Sequence, residues 1–403
     1  MAEQTVSLAE LVAENQIEVG AGRPRSVNQD GDPLPILRVA DVLDGKIGSS
    51  DFNSSLEINY RDLGPKVSRP GDIVLTVKGT VGRVALMPNR GPRFAYSPQL
   101  CYFRPRTDGR LAARYLYYWF RSADFWIQAN ALKGQTDMAD FISLSDILSL
   151  KVRVPSRVQQ DDAVAFLGAL DDKIAANEQV RDTLLGLARA YYEAATTSRD
   201  PERIGDLALL FDGPHATPNK TESGPWFLSI SSLKNGYLDL TESAHLSEED
   251  FPRWTRRVQP QAGDVLFSYE TRLGDAALMP PGIRGSLGRR MALLRSKSTA
   301  VSGALLLHAY LSPTFQEEVK RRTIHGATVD RLPLKEMPNW PVSLPAEGER
   351  ERLSAKLDTM HARVTQTAQE SRVLAALRDT LLPQLMSGKL RIRDAEKIVE
   401  DAV

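Results

Sequence analysis

The sequence predicts an α+β fold built twice: two similar α+β domains separated by two long antiparallel coiled-coil helices, a pseudo-twofold internal repeat within one chain. Three observations carry this. "GDIVLTVKGTVGRVALMP" at 71–88 matches "GDVLFSYETRLGDAALMP" at 263–280 with a constant offset of 192 and no gap. "ILRVADVLDGKI" at 36–47 matches "FLSISSLKNGYL" at 227–238, apolar position for apolar position, with Gly45 opposite Gly236. "LDDKIAANEQVRDTLLGLARAYYEA" at 170–194 has no proline, and "LDTMHARVTQTAQESRVLAALRDTLLPQL" repeats its character about 190 residues later. The parts are residues 1–155, a first domain; 156–198, a first helix; 199–345, a second domain; and 346–403, a second helix and C-terminal tail.

Within each domain, Ile73 to Val77 and Val265 to Tyr269 are apolar, β-branched or aromatic runs after a turn containing Gly-Asp, a pattern that predicts buried strands. "ARYLYYWFRSADFW" follows as a short helical pattern whose aromatics are read as core rather than as a base-stacking platform. "ISLSDILSLKVRVP" at 142–155 aligns with "LPLKEMPNWPVSLP" at 332–345 and closes each domain.

The helices repeat apolar residues at three- and four-residue spacing, which predicts a coiled-coil seam. Its members in the first helix are Leu167, Leu170, Ile174, Leu184, Leu187 and Tyr191. In the second they are Leu353, Leu357, Met360, Val364, Leu374, Leu377 and Leu381. Asn177 and Arg181, and Thr367 and Ser371, interrupt the seam with polar groups that either fix register or leave a solvated gap. Each helix of about 40 residues is ~60 Å long, whereas the linker from Thr196 to Arg203 spans at most ~25 Å. The second domain must therefore begin near the far end of the first helix, so that the second helix runs back along it and the pair acts as a spacer.

The 403 residues carry 51 basic and 51 acidic groups, so the chain has no global nucleic-acid charge signature. Residues 156–200 hold 5 basic and 8 acidic groups, and the other parts are close to balance. Any DNA binding must rest on local patches. No apolar run is long enough to span a membrane, and the N-terminal "MAEQTVSLAELVAEN" is acidic and amphipathic rather than a signal peptide. The single cysteine, Cys101, fits a cytoplasmic protein.

Catalytic motifs are absent from the sequence: there is no phosphate-loop, nucleophile-elbow or H-E-x-x-H pattern, and the five histidines show no ligand spacing. "GAGRPR" at 20–25 lacks the third glycine of a dinucleotide loop and runs into Pro24. "EVK" at 318–320 lies in the helical pattern "TFQEEVKRR", a solvated face rather than half of a nuclease motif. "KGTVGR" at 78–83 reads either as an anion cradle or as an ordinary hairpin bend. Its copy, "ETRLGD", keeps Gly274 but replaces the cations with Glu270 and Asp275, which suits a scaffold that reads different things in the two halves.

The helix block at 170–194, "DGPHATPNKTESGPWFLSISSLKNGYLDL" at 212–240 and the tail "LLPQLMSGKLRIRDAEKIVE" at 381–400 resemble the DNA-specificity (S) subunits of type I restriction-modification systems. Where that family has a Pro-rich run ending in Glu-Gln before each helix, this chain has "VPSRVQQDDAV" and "LPAEGERERL". The resemblance implies two target-recognition domains, each reading one half of a split double-stranded DNA target. The helices would set the gap and dock two modification methyltransferase subunits, with restriction/translocase subunits completing the complex. It also implies a chain without catalysis or cofactor of its own, S-adenosylmethionine, ATP and Mg belonging to the partners. The competing reading is a duplicated protein-binding coiled-coil scaffold without DNA specificity.

Because Arg, Lys and Gln can pair with purine edges in the major groove, candidate base readers in the first domain are Lys78, Thr80 and Arg83, then Gln99, Lys133, Gln135 and Thr136. In the second they are His215, Thr217, Thr271, Arg272, Arg289, Arg290 and Thr328.

Overall fold

The computed structural model describes residues 4–22, 33–43, 45–48, 58–59, 66–132, 134–135, 140–196, 201–234, 236–326 and 329–400. The chain divides into two compact units, Met1–Asp172 with Val373–Val403, and Lys173–Arg372, so that the division falls within the long helices.

The first unit is organised by a four-stranded antiparallel sheet of β1 (Ile17–Ala21), β2 (Ile73–Thr76), β3 (Val84–Leu86) and β4 (Leu100–Pro105), in the order β1-β4-β2-β3. Alternate residues of its strands enter different cores, as the two-residue period of a strand demands. Ile73, Leu75, Cys101 and Phe103 face one cluster with Tyr115, Tyr118, Trp119 and Phe120 of helix α1 (Ala113–Phe120) and Phe125 of α2 (Ala123–Leu132). Val74, Leu100 and Tyr102 face a second cluster with Leu37, Met87 and Phe94. A sheet covered on both faces needs an uninterrupted apolar run, which is why "IVLT" does not alternate with polar residues. The aromatics of α1 are core, as read from the sequence.

The sheet of the second unit is the same object: β5 (Ala208–Asp212), β6 (Val265–Ser268), β7 (Ala276–Leu278) and β8 (Met291–Ser296) in the order β5-β8-β6-β7, all antiparallel. Val265 and Phe267 pack toward helix α3 (Gly303–Leu311), and Leu266 and Leu293 toward Leu233, Leu238 and Met279. Gly45 and Gly236 are equivalent by structure: both have positive φ, +88° and +106°, and their N–H groups donate to Val84 and Ala276. Terminal strand pairs close both copies, Gln4–Ser7 with Lys151–Val154, and Glu202–Arg203 with Pro341–Val342.

The long helices span Arg157–Ala195 and Glu347–Met386, 39 and 40 residues. In the second unit they run antiparallel, since Asn177 meets Glu370 while Lys356 lies over the ring of Tyr191 further along. Leu167, Leu170 and Leu381 are buried in the first unit, and Leu353, Leu357 and Val364 in the second. Leu374 is buried too, and Ile174, Leu184, Tyr191, Met360 and Leu377 are half-buried. Leu187 is a correction, for it is 42% exposed. The contact line passes instead through Ala188 and Tyr192, which are 0% and 2% exposed, because small Ala188 admits close packing and the Tyr192 hydroxyl donates to the Ser343 carbonyl.

The polar interruption is not a solvated gap. Asn177 and Thr367 are buried; the Asn177 Nδ2 donates to Glu370 at 3.0 Å and the Thr367 hydroxyl to the Val364 carbonyl at 2.9 Å. A buried amide satisfied by one particular partner penalises slipped registers, which would leave it unpaired. Among the described residues no helix is long and apolar enough to cross a membrane.

Candidate nucleic-acid interface

One end of each four-stranded sheet collects its loops. In the first unit β1 ends at Ala21, β2 ends at Thr76, and β3 and β4 begin at Val84 and Leu100, so the connections meet there. The 77–83 loop is held from inside by Thr76, whose hydroxyl donates to the Thr80 carbonyl at 2.5 Å and accepts from the Arg83 N–H at 2.9 Å. Gly82 has φ +91°, and a Cβ there would lie 2.0 Å from the Trp126 ring, so only glycine fits.

Two further segments dock on this loop. The Val77 N–H donates to the Gln99 carbonyl, and the Ile142 N–H to the Val77 carbonyl. Lys78 bridges to Phe141 of the Asp140–Phe141 strand, whose partner is Gly134–Gln135. The structure thus brings Lys78, Thr80, Arg83, Gln99 and the backbone of Gln135 to one end. Lys78, Thr80 and Gln99 are exposed and Arg83 is half-buried. Lys78 and Arg83 have no carboxylate within ion-pair distance among the described residues. Lys133, Thr136 and Thr328 lie outside the described residues, as does the side chain of Gln135.

The second unit repeats the docking bonds of this loop but not the Thr76 brace, for the Ser268 hydroxyl donates to the Glu270 carbonyl instead. The Tyr269 N–H donates to the Arg290 carbonyl, the Leu332 N–H to the Tyr269 carbonyl, and Glu270 bridges to Arg331. Gly274, with φ +91°, faces Gln316 where Gly82 faces Trp126. By these bonds Lys78 corresponds to Glu270, Gly79 to Thr271 and Gln99 to Arg290.

The side chains differ sharply. Arg290 Nε lies 2.8 Å from Glu270 Oε2, and its Nη1 donates to Thr271 Oγ1 at 3.2 Å. Arg272 pairs with Asp275 at 2.5 Å; burial raises the Asp275 carboxyl above its ordinary range and Arg272 opposes that shift. Asp212 Oδ2 lies 3.3 Å from His215 Nε2 and accepts from Arg257 at 2.8 Å. The other nitrogen of His215 lies 3.4 Å from the Tyr269 hydroxyl, so His215 joins the same end. Burial raises the Tyr269 phenol, with Glu270 and Asp212 adding to the effect.

Arg289 and Thr217 are exposed beside a cleft of about 440 Å³, which Arg290, Lys220, Ser229 and Thr241 also line. Among the described residues "KGTVGR" therefore carries cations without a carboxylate partner, and "ETRLGD" takes part in ion pairs on the same backbone. Gly22 of "GAGRPR" serves packing: a Cβ there would meet the Ser97 carbonyl at 1.9 Å. Glu318 of "EVK" pairs with Arg321 and Arg322 on its own helix, Pro313–Arg322.

Sequence reasoning did not single out Glu270 as a contributor, although its place opposite Lys78 was the available signal. Lys220 and Arg257 were also missed, because no repeat partner drew attention to them. Among the described residues no group of three or more His, Cys, Asp or Glu could hold a metal ion.

Residues 45–185 match the family model described as the type I restriction modification DNA specificity domain. No curated protein matches the chain. Among solved structures the chain is similar to the type I restriction-modification system S subunit from M. genitalium, at 14% identity and TM-score 0.52 over 96% of both chains, which shows a shared fold. The HsdS subunit from Thermoanaerobacter tengcongensis is 18% identical, with TM-score 0.35 over 96% of this chain and 97% of that one.

Proposed function

We infer that the chain is the DNA-specificity subunit of a type I restriction-modification complex. The observation that carries the reading is the match of residues 45–185 to the DNA specificity domain, a span that includes the 77–83 loop and Gln99. The duplicated sheet supports it, since one scaffold presents different polar side chains in its two copies. Two reading heads of one design with different surfaces suit a target of two unlike halves.

On this reading each globular domain contacts one half of a bipartite duplex target, and the helices fix the gap between the halves. At ~1.5 Å per residue, helices of 39 and 40 residues are about 60 Å long, enough for such a spacer. Base identity is read by the exposed polar groups at the sheet ends, in the major groove where each base pair has its own donor and acceptor pattern. The chain itself is non-catalytic. Two modification methyltransferase subunits dock on the helices, restriction/translocase subunits join them, and S-adenosylmethionine, ATP and Mg act there. A chain of zero net charge leaves much of the phosphate contact to those subunits.

The test is methylated-adenine sequencing in a host carrying the system with and without this chain. A split motif methylated only when the chain is present is the expected result. Methylation independent of the chain would leave the competing scaffold reading.

A further inference from the structure

We propose that Arg290 reads a guanine in the half-site bound by the second domain, with Glu270 and Thr271 as the positioning residues that aim it. The inference rests on the specificity reading above and goes beyond it by naming a base and the clamp that selects it.

The geometry is that of a braced fork. Arg290 Nε sits 2.8 Å from Glu270 Oε2, and Nη1 gives one of its two N–H groups to Thr271 Oγ1 at 3.2 Å. The Glu270 contact is an ion pair and the Thr271 contact a hydrogen bond, and together they hold the guanidinium in place. Both N–H groups of Nη2 and the second N–H of Nη1 are left, and two neighbouring ones form a coplanar donor pair. That pair matches the O6 and N7 acceptors of guanine, and no other base offers two acceptors side by side in the major groove. Arg290 is only partly covered, with 30% of its side chain exposed, and lines the open cleft with Arg289.

Backbone strain supports a built device over an incidental surface pair. Thr271 and Arg290 both have φ +71°, the left-handed region that β-branched and long side chains avoid. Position 271 corresponds to Gly79 of the first copy, which occupies the same region at φ +86° without penalty. A threonine kept where glycine would be unstrained brings its hydroxyl to the Arg290 guanidinium. The first copy has neither part of the clamp: Lys78 and Gln99 stand where Glu270 and Arg290 stand, so the brace belongs to one half-site only.

The experiment maps methylated sites in a host carrying the complete system, with the chain as parent, Arg290→Ala, Arg290→Lys or Glu270→Gln. The expected result is a G·C pair in one half-site whose requirement falls on the order of 10- to 100-fold in Arg290→Ala. Arg290→Lys should fare no better, because it keeps the charge and loses the fork. Glu270→Gln, nearly isosteric, should relax the same position while the other half-site stays strict; a merely structural role would lower methylation at all sites alike. The proposal is overturned if every variant keeps the parental requirement at every position, or if the position that relaxes is an A·T pair. Should Arg290→Ala fail to accumulate, Glu270→Gln decides, and unchanged stringency in it rejects the clamp. A parent chain that directs no sequence-dependent methylation removes the specificity reading, and this inference with it.

Discussion

Replacing His308 with tyrosine and His361 with aspartate together should flatten the loss of stability of the second unit on acidification. The two imidazoles meet between helix Gly303–Leu311 and helix Glu347–Met386, Nε2 to Nε2 at 3.0 Å, and both are buried. Tyr192 stacks on His308, and Arg189 is the charged group that acts on it. Burial pushes His308 down to about 3, with His361 and Arg189 adding to the shift, and pushes His361 down to about 4. An unfolded histidine titrates near 6.5. From about pH 6.5 down to 4, the unfolded state holds protons that the folded state refuses. Stability is therefore complete above pH 6.5 and is lost as the pH falls through that window.

At pH 5 the loss is roughly 2 kcal/mol per imidazole, about 4 kcal/mol for the pair relative to pH 7.5. The first unit has solved the same junction differently, with the Tyr118 hydroxyl donating to Asp171 at 2.7 Å and Arg378 pairing with that carboxylate at 2.8 Å. Grafting that pair removes both buried imidazoles, the groups whose protonation in the unfolded state drives the loss. Urea melts at the two pH values give the stabilities, and hydrogen exchange over residues 303–311 localises the change. Equal losses in parent and double variant would refute the reasoning.

Alanine at both Lys78 and Arg83 should relax one half of the target by about 1 to 3 kcal/mol per lost base contact and leave the other half strict, as binding to half-site variants would show. Gly82→Ala should cost roughly 2 to 4 kcal/mol in a denaturant melt, because it adds left-handed strain to a collision with the Trp126 ring. Gly274→Ala should cost only about 1 to 2 kcal/mol, since it meets the movable end of Gln316. Lys220→Ala should weaken DNA binding uniformly across sequences and reduce the slope of log K against log salt by about 0.9 for one lost phosphate contact. A change of sequence preference would mean that Lys220 reads a base instead.

The repeat was legible because burial on both faces of a sheet leaves a signature that survives duplication, "GDIVLTV" against "GDVLFSY". The fold class followed from it. The loop at 78–83 was legible for a related reason: Gly82 and Gly274 hold a backbone shape that other residues cannot, while the positions between them vary. The seam was read well where leucines dominate and misread at Leu187, since spacing alone cannot tell a leucine from an alanine one residue later that allows closer approach. His308 and His361 looked unrelated at 53 residues apart, and only the packing of two helices joins them. The strained backbone of Thr271 and Arg290 left no trace in composition, because a residue holding an unfavourable φ looks like any other in a sequence.

The central claim is that two reading heads are held at a set distance by this chain's helices. Inserting four residues after Ala194 should extend the first helix by about 6 Å, close to one turn, and keep the seam near its phase. Methylated sites mapped for parent and insertion variant in the same host should show both specific halves unchanged. The gap between them should be longer by one or two base pairs, each adding ~3.4 Å along the duplex. An active variant that keeps the parental gap would contradict the account.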